Sequence, residues 1–159
     1  MIRHLFFGAF LLAADPTVAQ SIVEGPARVV DGDTLRVAHH RIRLLGIDAP
    51  ERAQTCIIEH ASSTRWPCGQ DATQQLQALV EGEIVNCEAK DQDRYGRIVA
   101  VCFAGGRDLN DAMVRSGYAV ATPQYSDRYI EAEKEAKQQR RGIWAGSFQL
   151  PADYRLRRR

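Results

Sequence analysis

The sequence lacks an excess of charge of either sign. Its 159 residues include 21 Lys and Arg against 20 Asp and Glu, which gives a formal net charge of +1. A broadly basic coat is therefore excluded, and any contact with nucleic acid must come from a local arrangement of basic side chains. Because 45% of the residues are hydrophobic, a disordered chain is excluded as well. A chain of this length is expected to form one domain.

The sequence also lacks a hydrophobic run that could span a bilayer. The apolar run Leu5–Ala14 has about 10 residues, whereas a membrane-spanning helix needs roughly 20. Basic Arg3 precedes this run and small Ala19 follows it, which is the pattern of a secretory signal peptide. We predict a signal peptide over residues 1–19, a mature domain over residues 20–159, and a secreted or periplasmic protein with no membrane attachment after cleavage. The alternative is an N-terminal core helix.

The four cysteines lack the spacing of a zinc site. There is no Cys-x-x-Cys pair and no nearby histidine at zinc-finger spacing, and an exported protein favours disulfides. If the strands on either side of residues 94–95 form a hairpin, Cys87 lies opposite Cys102 at a separation that suits a disulfide. Cys56 and Cys68 would then form the second pair. The alternative is buried free thiols.

Periodicity predicts five strands and three helices, with no repeat and no internal linker. The predicted strands cover residues 27–30, 34–38, 42–47, 84–87 and 98–103. The predicted helices begin near residue 70, residue 109 and residues 126–127, and end near residues 80, 117 and 141. Residues 151–159 are interpreted as a basic tail. This order suggests a small closed barrel with helices, although several α+β folds would suit it.

Five charged residues stand where a core-building sequence has no use for them: Asp33, Arg43, Asp48, Glu51 and Arg97. Each alone has an ordinary explanation as a turn or surface residue. Together they suit phosphodiester chemistry. Two carboxylates and a backbone carbonyl can hold Ca²⁺ or Mg²⁺, a third carboxylate can activate water, and two guanidiniums can hold a phosphate that gains charge in the transition state.

The order of these motifs resembles the staphylococcal nuclease (thermonuclease) family. The matching segments are VDGDT at 30–34, IRLLGIDAPE at 42–51, DRYGR at 93–97, LN at 109–110, MVRSG at 113–117 and GIW at 142–144. The resemblance covers residues 29–144. It implies an α+β fold, specifically an OB-like five-stranded β-barrel with three helices. It also implies a Ca²⁺-dependent hydrolase that cleaves DNA and RNA.

The resemblance also implies a role for each residue of the set. It implies metal binding by Asp33, Asp48 and the main-chain carbonyl of Ala49, activation of water by Glu51, and phosphate binding by Arg43 and Arg97. Tyr95 falls where the family places an aromatic side chain near the nucleotide, with a simple turn tyrosine as the alternative. Tyr125 is the nearest candidate for a contact with the end phosphate.

This sequence departs from the family pattern in two places. The loop after Glu51 carries two cysteines and few lysines, whereas the family's loop is rich in lysine and helps to hold substrate. The segment 121–126 is also shorter than in the type enzyme. Both differences concern substrate affinity and end preference, and neither touches the metal-binding and phosphate-binding residues.

Two other functions fit parts of the sequence. One is a non-catalytic OB-type module that binds nucleic acid, and the other is an envelope protein that binds Ca²⁺ for stability. Degenerate domains of this kind typically lose a metal carboxylate or a phosphate-binding arginine, and this sequence keeps all of them, which favours an enzyme. A monomer is expected.

Overall fold

A computed structural model describes residues 21–59 and 64–158. The predicted signal peptide, residues 1–19, lies outside the described residues. Among the residues that are described, no helix has both the length and the apolar character needed to cross a membrane.

The described residues form eleven strands, four α-helices and one 3₁₀-helix. The strands are β1 (Ile22–Asp31), β2 (Thr34–Val37), β3 (His40–Leu44), β4 (Ile47–Asp48), β5 (Cys56–Ile58), β6 (Thr64–Trp66), β7 (Ile84–Gln92), β8 (Ile98–Ala104), β9 (Arg107–Asp108), β10 (Val120–Ala121) and β11 (Gly146–Ser147). The α-helices are α1 (Cys68–Val80), α2 (Leu109–Arg115), α3 (Ile130–Gln138) and α4 (Pro151–Arg157), and the 3₁₀-helix covers Gly142–Ala145.

Five long strands close into a barrel. The sheet order is β3-β2-β1-β7-β8, and β3 also pairs with β8. Neighbours in this order are antiparallel except for the closing pair, which is parallel and sets Arg43 opposite Val99. The closed barrel confirms the α+β, OB-like fold that the resemblance implies.

The barrel interior follows the two-residue alternation of its strands. Leu35 and Val37 on β2, and Ile42 and Leu44 on β3, are almost fully buried, while the residues between them face outward or towards other elements. Fully burying a side chain of this size stabilises a fold by roughly 1.5–3 kcal/mol. The outward-facing positions of β3 are therefore free to carry charge without disturbing the core.

Asn110 joins α2 to the barrel from a fully buried position. Its side-chain amide donates to the carbonyl oxygens of Leu45 (2.9 Å) and Ala100 (3.2 Å), and its Oδ1 accepts from the Cys102 amide (3.1 Å). These bonds satisfy backbone groups of two segments at once, including the turn that joins β3 to β4.

Residues 151–159 differ from the prediction of a basic tail, because they contain a fourth helix where three were expected. The signals for α4 are present in the sequence: Pro151 stands at the first helical position, Asp153 lies in the first turn, and Arg155 and Arg157 lie in the last. The segment is so short that these signals alone would not hold it in a helix.

The loop before α1 also has more structure than periodicity indicates. Strands β5 and β6 form a small sheet with β11. Strands this short carry too few residues for an alternating pattern to be recognised.

Helix α3 is shorter than predicted, beginning at Ile130 and ending at Gln138.

Both predicted disulfide pairs are present. Cys56 is bonded to Cys68, and Cys87 is bonded to Cys102. Cys87 and Cys102 are direct partners across the β7–β8 ladder, which is the register that the sequence analysis assumed. The first bond ties β5 to the first residue of α1.

Candidate active site

The turn between β1 and β2 carries Asp33 into the interior. Asp33 is 4% exposed, and its amide donates to Oδ1 of Asp31 at 3.2 Å. A Cβ atom on Gly32 would lie 2.7 Å from the Cβ of Ala49 and 2.9 Å from that of Ala72. Only glycine therefore lets this turn pack between β4 and α1, next to the segment that carries Asp48.

Arg43 bridges the two buried carboxylates. Its Nη1 donates to Oδ1 of Asp33 at 2.9 Å, and its Nη2 donates to Oδ1 of Asp48 at 2.7 Å. The alternation of β3 places Arg43 between buried Ile42 and Leu44 but on the opposite face. The structure thus brings together three of the five charged residues that the sequence analysis singled out.

The charged form of Asp33 is still disfavoured by burial, even with Arg43 beside it. Burial raises the pKa of Asp33 to about 7, and the positive charge of Arg43 opposes that rise. Its Oδ2 accepts a hydrogen bond from the amide of Ala49 at 2.9 Å. A further cation beside this carboxylate would favour its charged form.

The donor set at this position fits a hard divalent cation. Asp33, Asp48 and the carbonyl of Ala49 offer oxygen ligands only, which Ca²⁺ and Mg²⁺ prefer. Within residues 21–59 and 64–158, no group of three or more His, Cys, Asp or Glu side chains is placed to hold a metal ion. A cation here would have Asp33, Asp48 and the Ala49 carbonyl as its protein ligands, and it would compete with Arg43 and Arg155, which donate to the carboxylate oxygens in this structure. Water and substrate would complete its coordination.

Glu51 is fixed by contacts of its main chain. The amide of Glu51 donates to Oε1 of buried Gln54 at 3.2 Å. A Cβ atom on Gly69 would lie 1.8 Å from the Glu51 carbonyl oxygen, so the first turn of α1 packs directly on this segment. Helix α1 thereby sets the position of the Glu51 carboxylate.

Arg155 of α4 links Glu51 to Asp48. Its Nη1 donates to Oδ1 of Asp48 at 2.9 Å and to Oε1 of Glu51 at 2.8 Å, and its Nη2 donates to Oδ2 of Asp48 at 3.0 Å. Sequence reasoning placed Arg155 in a tail and missed it as a site residue. The helix signals around Pro151 could have predicted α4, but no sequence signal indicates where that helix packs.

Arg97 lies at the edge of the site. It precedes Ile98 on β8, so alternation sets it on the same face as Val99, the register partner of Arg43. Its Nε donates to Oδ2 of Asp93 at 2.7 Å. In the described part of the chain, no hydrogen bond or ion pair joins Arg97 to the site carboxylates.

The two tyrosines lie on exposed turns. Tyr95 is 62% exposed, and the guanidinium carbon of Arg97 lies 5.7 Å from the centre of its ring. Tyr125 is 73% exposed, and its amide donates to the carbonyl oxygen of Thr122 in the turn after β10. No contact between Tyr125 and the site carboxylates is found among residues 21–59 and 64–158.

A family model described as staphylococcal nuclease homologue matches residues 41–146. The matched segment contains Arg43, Asp48, Glu51 and Arg97. The chain belongs to the staphylococcal nuclease family. It is accordingly a nuclease, a hydrolase by class, as the resemblance of its motifs implies. Helix α4 lies beyond the residues that the family model matches.

Several curated proteins are similar to this chain over most of its length. Succinoglycan biosynthesis protein ExoI of Rhizobium meliloti (strain 1021) is 37% identical over 139 residues, which cover 86% of this chain and 71% of the relative. An uncharacterized endonuclease of Escherichia coli is 35% identical over 143 residues, 86% of each chain. Staphylococcal-like nuclease CAN1 of Arabidopsis thaliana is 34% identical over 122 residues, 75% of this chain and 34% of the plant protein.

Proposed function

We propose that this protein is a Ca²⁺-dependent nuclease that hydrolyses phosphodiester bonds of DNA and RNA. The observation that carries the proposal is the pair of buried carboxylates, Asp33 and Asp48, bridged by Arg43 next to Glu51. This arrangement is not explained by stability alone. Burying charged groups carries a desolvation penalty, and apolar side chains of similar volume would fill the same space without that penalty.

The metal-binding residues are Asp33, Asp48 and the main-chain carbonyl of Ala49. The bound cation supplies positive charge at the scissile phosphate. Arg43 and Arg97 lie on one face of the β3–β8 pair and bind the phosphate oxygens, and a fixed guanidinium stabilises charge that develops there without reorganising.

Glu51 orients the attacking water and accepts a proton from it. Its Oε1 is bonded to Arg155, while in the described residues no protein donor contacts Oε2, which leaves that oxygen for the water. As the water oxygen bonds to phosphorus, the bond from phosphorus to the leaving oxygen breaks, and that oxygen takes a proton from solvent water as the strand is cut. Tyr95 and Tyr125 are exposed aromatic side chains that suit contacts with the nucleotides.

We further propose that the enzyme is exported as a monomer to the periplasm or the medium. The signal-peptide pattern of residues 1–19 supports export, and the two disulfides suit an oxidising compartment.

The deciding test is a gel assay of the mature protein on plasmid, denatured DNA and RNA, with Ca²⁺ and with EGTA. We expect Ca²⁺-dependent fragmentation of denatured DNA and RNA. Intact DNA and RNA in excess Ca²⁺ would refute the proposal, and binding without cleavage would instead support the OB-type binding module.

Glu51→Gln is the matched inactive variant for this assay. The amide keeps the shape and a hydrogen-bonding oxygen but cannot accept the proton of water, so we expect the rate to fall by about 10²–10⁴-fold. Circular dichroism and the thermal midpoint show whether the fold is retained. Turnover close to that of the wild type would contradict the role of Glu51 while leaving the nuclease assignment intact.

A further inference from the structure

Helix α4 forms one wall of an open cleft beside Glu51. The cleft has a volume of about 440 Å³ and is lined by Glu51, Arg52, Ala53, Tyr154, Arg155 and Arg158. Three of these six residues are arginines, and Glu51 is the one acidic residue among them. The cleft therefore begins at the residue that activates water and continues along a cationic surface.

Arg155 and its neighbours fix α4 in this position. Arg155 is bonded to Asp48 and Glu51, and the Tyr154 hydroxyl donates to the carbonyl oxygen of Ala53 at 3.1 Å. Pro151 is buried at the start of the helix. A helix of seven residues is not stable in isolation, so these contacts give the cleft a fixed wall.

The two other arginines of the cleft have no acidic partner within the described residues. Arg52 and Arg158 are exposed, while the charge of Arg155 is compensated by two carboxylates. Arg158 donates to the Tyr154 hydroxyl at 2.6 Å, and its guanidinium carbon lies 5.4 Å from the centre of the Tyr154 ring. This contact holds the Arg158 guanidinium against the cleft.

We propose that Arg52 and Arg158 bind a backbone phosphate of the nucleic acid strand, next to the phosphate that is cut at Glu51. The inference rests on the proposed function, because it names where the strand continues beyond the site. Two guanidiniums that line the same cleft and have no carboxylate partner among the described residues complement a phosphodiester. The loop after Glu51 supplies Arg52 but few lysines, and Arg158 at the end of α4 adds a second positive charge to the cleft.

Arg155 is an anchor of this surface and not one of its phosphate ligands. Its Nη1 and Nη2 donate to both Asp48 and Glu51, so it holds α4 against these two carboxylates and is left in place in the test. This distinction makes the inference testable without altering a residue that contacts Asp48 or Glu51.

The test compares Arg52→Gln/Arg158→Gln with the wild type in two assays. Steady-state cleavage of single-stranded DNA in Ca²⁺ gives KM and kcat. Fluorescence anisotropy with a labelled oligothymidylate in EGTA gives Kd as a function of salt. We expect KM and Kd to rise roughly tenfold or more, because hydrogen bonds to charged groups are lost, while kcat stays within about twofold of the wild type. The slope of log K against log salt should shrink by about 0.7, the value for one neutralised phosphate of a single strand.

The matched control is Arg107→Gln/Lys134→Gln, which removes the same charge from exposed positions on β9 and α3. If the cleft variant and this control have the same KM, Kd and salt slope, the inference is wrong even though the wild type cleaves DNA. If the wild type does not cleave, the proposed function fails, and the anisotropy assay alone still decides whether the cleft binds the strand.

Discussion

At the scale of single residues, the site depends on side chains that each contact two partners. Arg43 joins Asp33 to Asp48, and Arg155 joins Asp48 to Glu51. Asp48 therefore lies at the centre of a chain of charge-assisted hydrogen bonds. Such networks respond to a single change more strongly than isolated surface pairs do.

Arg43→Lys tests the bridging role. Lysine keeps the charge, but its ammonium cannot present the planar pair of donors that spans Asp33 and Asp48. We expect kcat on single-stranded DNA to fall by about 10²–10³-fold, the loss typical of removing one preorganised donor. Arg36→Lys, an exposed position on β2, is the control and should leave kcat unchanged. A kcat within about twofold of the wild type for Arg43→Lys would contradict the role.

Asn110→Ala tests a residue that serves the fold and not the chemistry. The substitution removes the donor to the buried Leu45 carbonyl and the acceptor of the Cys102 amide, while the Ala100 carbonyl keeps its hydrogen bond from the Leu45 amide. We expect the free energy of unfolding to fall by about 2–4 kcal/mol, because unsatisfied buried polar groups cost about 1–3 kcal/mol each. Denaturant titration measures this change. Asn86→Ala, whose side chain makes an exposed bond to Glu24, should change it by less than about 0.5 kcal/mol.

At the scale of elements, helix α1 positions the catalytic segment. The close approach of Gly69 to the Glu51 carbonyl leaves no room for a side chain. The disulfide from Cys56 to Cys68 fixes the residue just before Gly69. The start of α1 and the disulfide therefore fix the position of Glu51 together.

Gly69→Ala should displace Glu51. We expect kcat to fall by about tenfold to a hundredfold, since a misplacement of about 1 Å can cost that much. The free energy of unfolding should fall by about 1–3 kcal/mol through overpacking. Gln74→Ala, on the exposed part of α1, tests the effect of alanine in the same helix and should be neutral. An active Gly69→Ala enzyme would show that the backbone can relax without moving Glu51.

The two disulfides should differ in their effect on activity. Replacing either pair with alanine should cost about 2–4 kcal/mol of unfolding free energy. Cys56→Ala/Cys68→Ala should also lower kcat, because this bond holds the start of α1 and the segment next to Glu51. Cys87→Ala/Cys102→Ala alters the β7–β8 ladder and serves as the matched control, with kcat near that of the wild type. Equal kcat values in both variants would contradict a positioning role for the first bond.

At the scale of the whole molecule, export and oxidation should occur together. A chain expressed with residues 1–19 in a bacterium should give a periplasmic product that begins at Gln20. Its mass should be about 4 Da below that of the reduced form, since each disulfide removes two hydrogens. A chain that starts at Gln20 after an initiating Met is the control and should stay reduced in the cytoplasm. A product that retains residues 1–19, or whose mass does not change on reduction, would refute the corresponding prediction.

The net charge of +1 is explained by how the arginines are placed in the molecule. Arg43 and Arg155 neutralise buried carboxylates, while Arg52 and Arg158 on one cleft have no acidic partner in the part of the chain that the structure describes. A nearly neutral protein can therefore still present a local cationic surface to a phosphate backbone.

The sequence by itself determined the barrel strands, the disulfide pairing and the identity of the charged residues at the site. These features depend on local alternation and on hairpin register, which nearby residues specify. Asp33, Arg43 and Asp48 are recognisable because they lie in short motifs close together along the chain. Their assigned roles in metal and phosphate binding stay predictions.

Only the tertiary structure decided that α4 is ordered and that Arg155 reaches Asp48. These two residues are 107 positions apart in the sequence, and no periodic pattern relates segments so distant. A seven-residue helix gains its stability from the surface it packs on and not from its own propensity. The cleft next to Glu51 exists for the same reason, because its wall is held in place by contacts that form only in the folded protein.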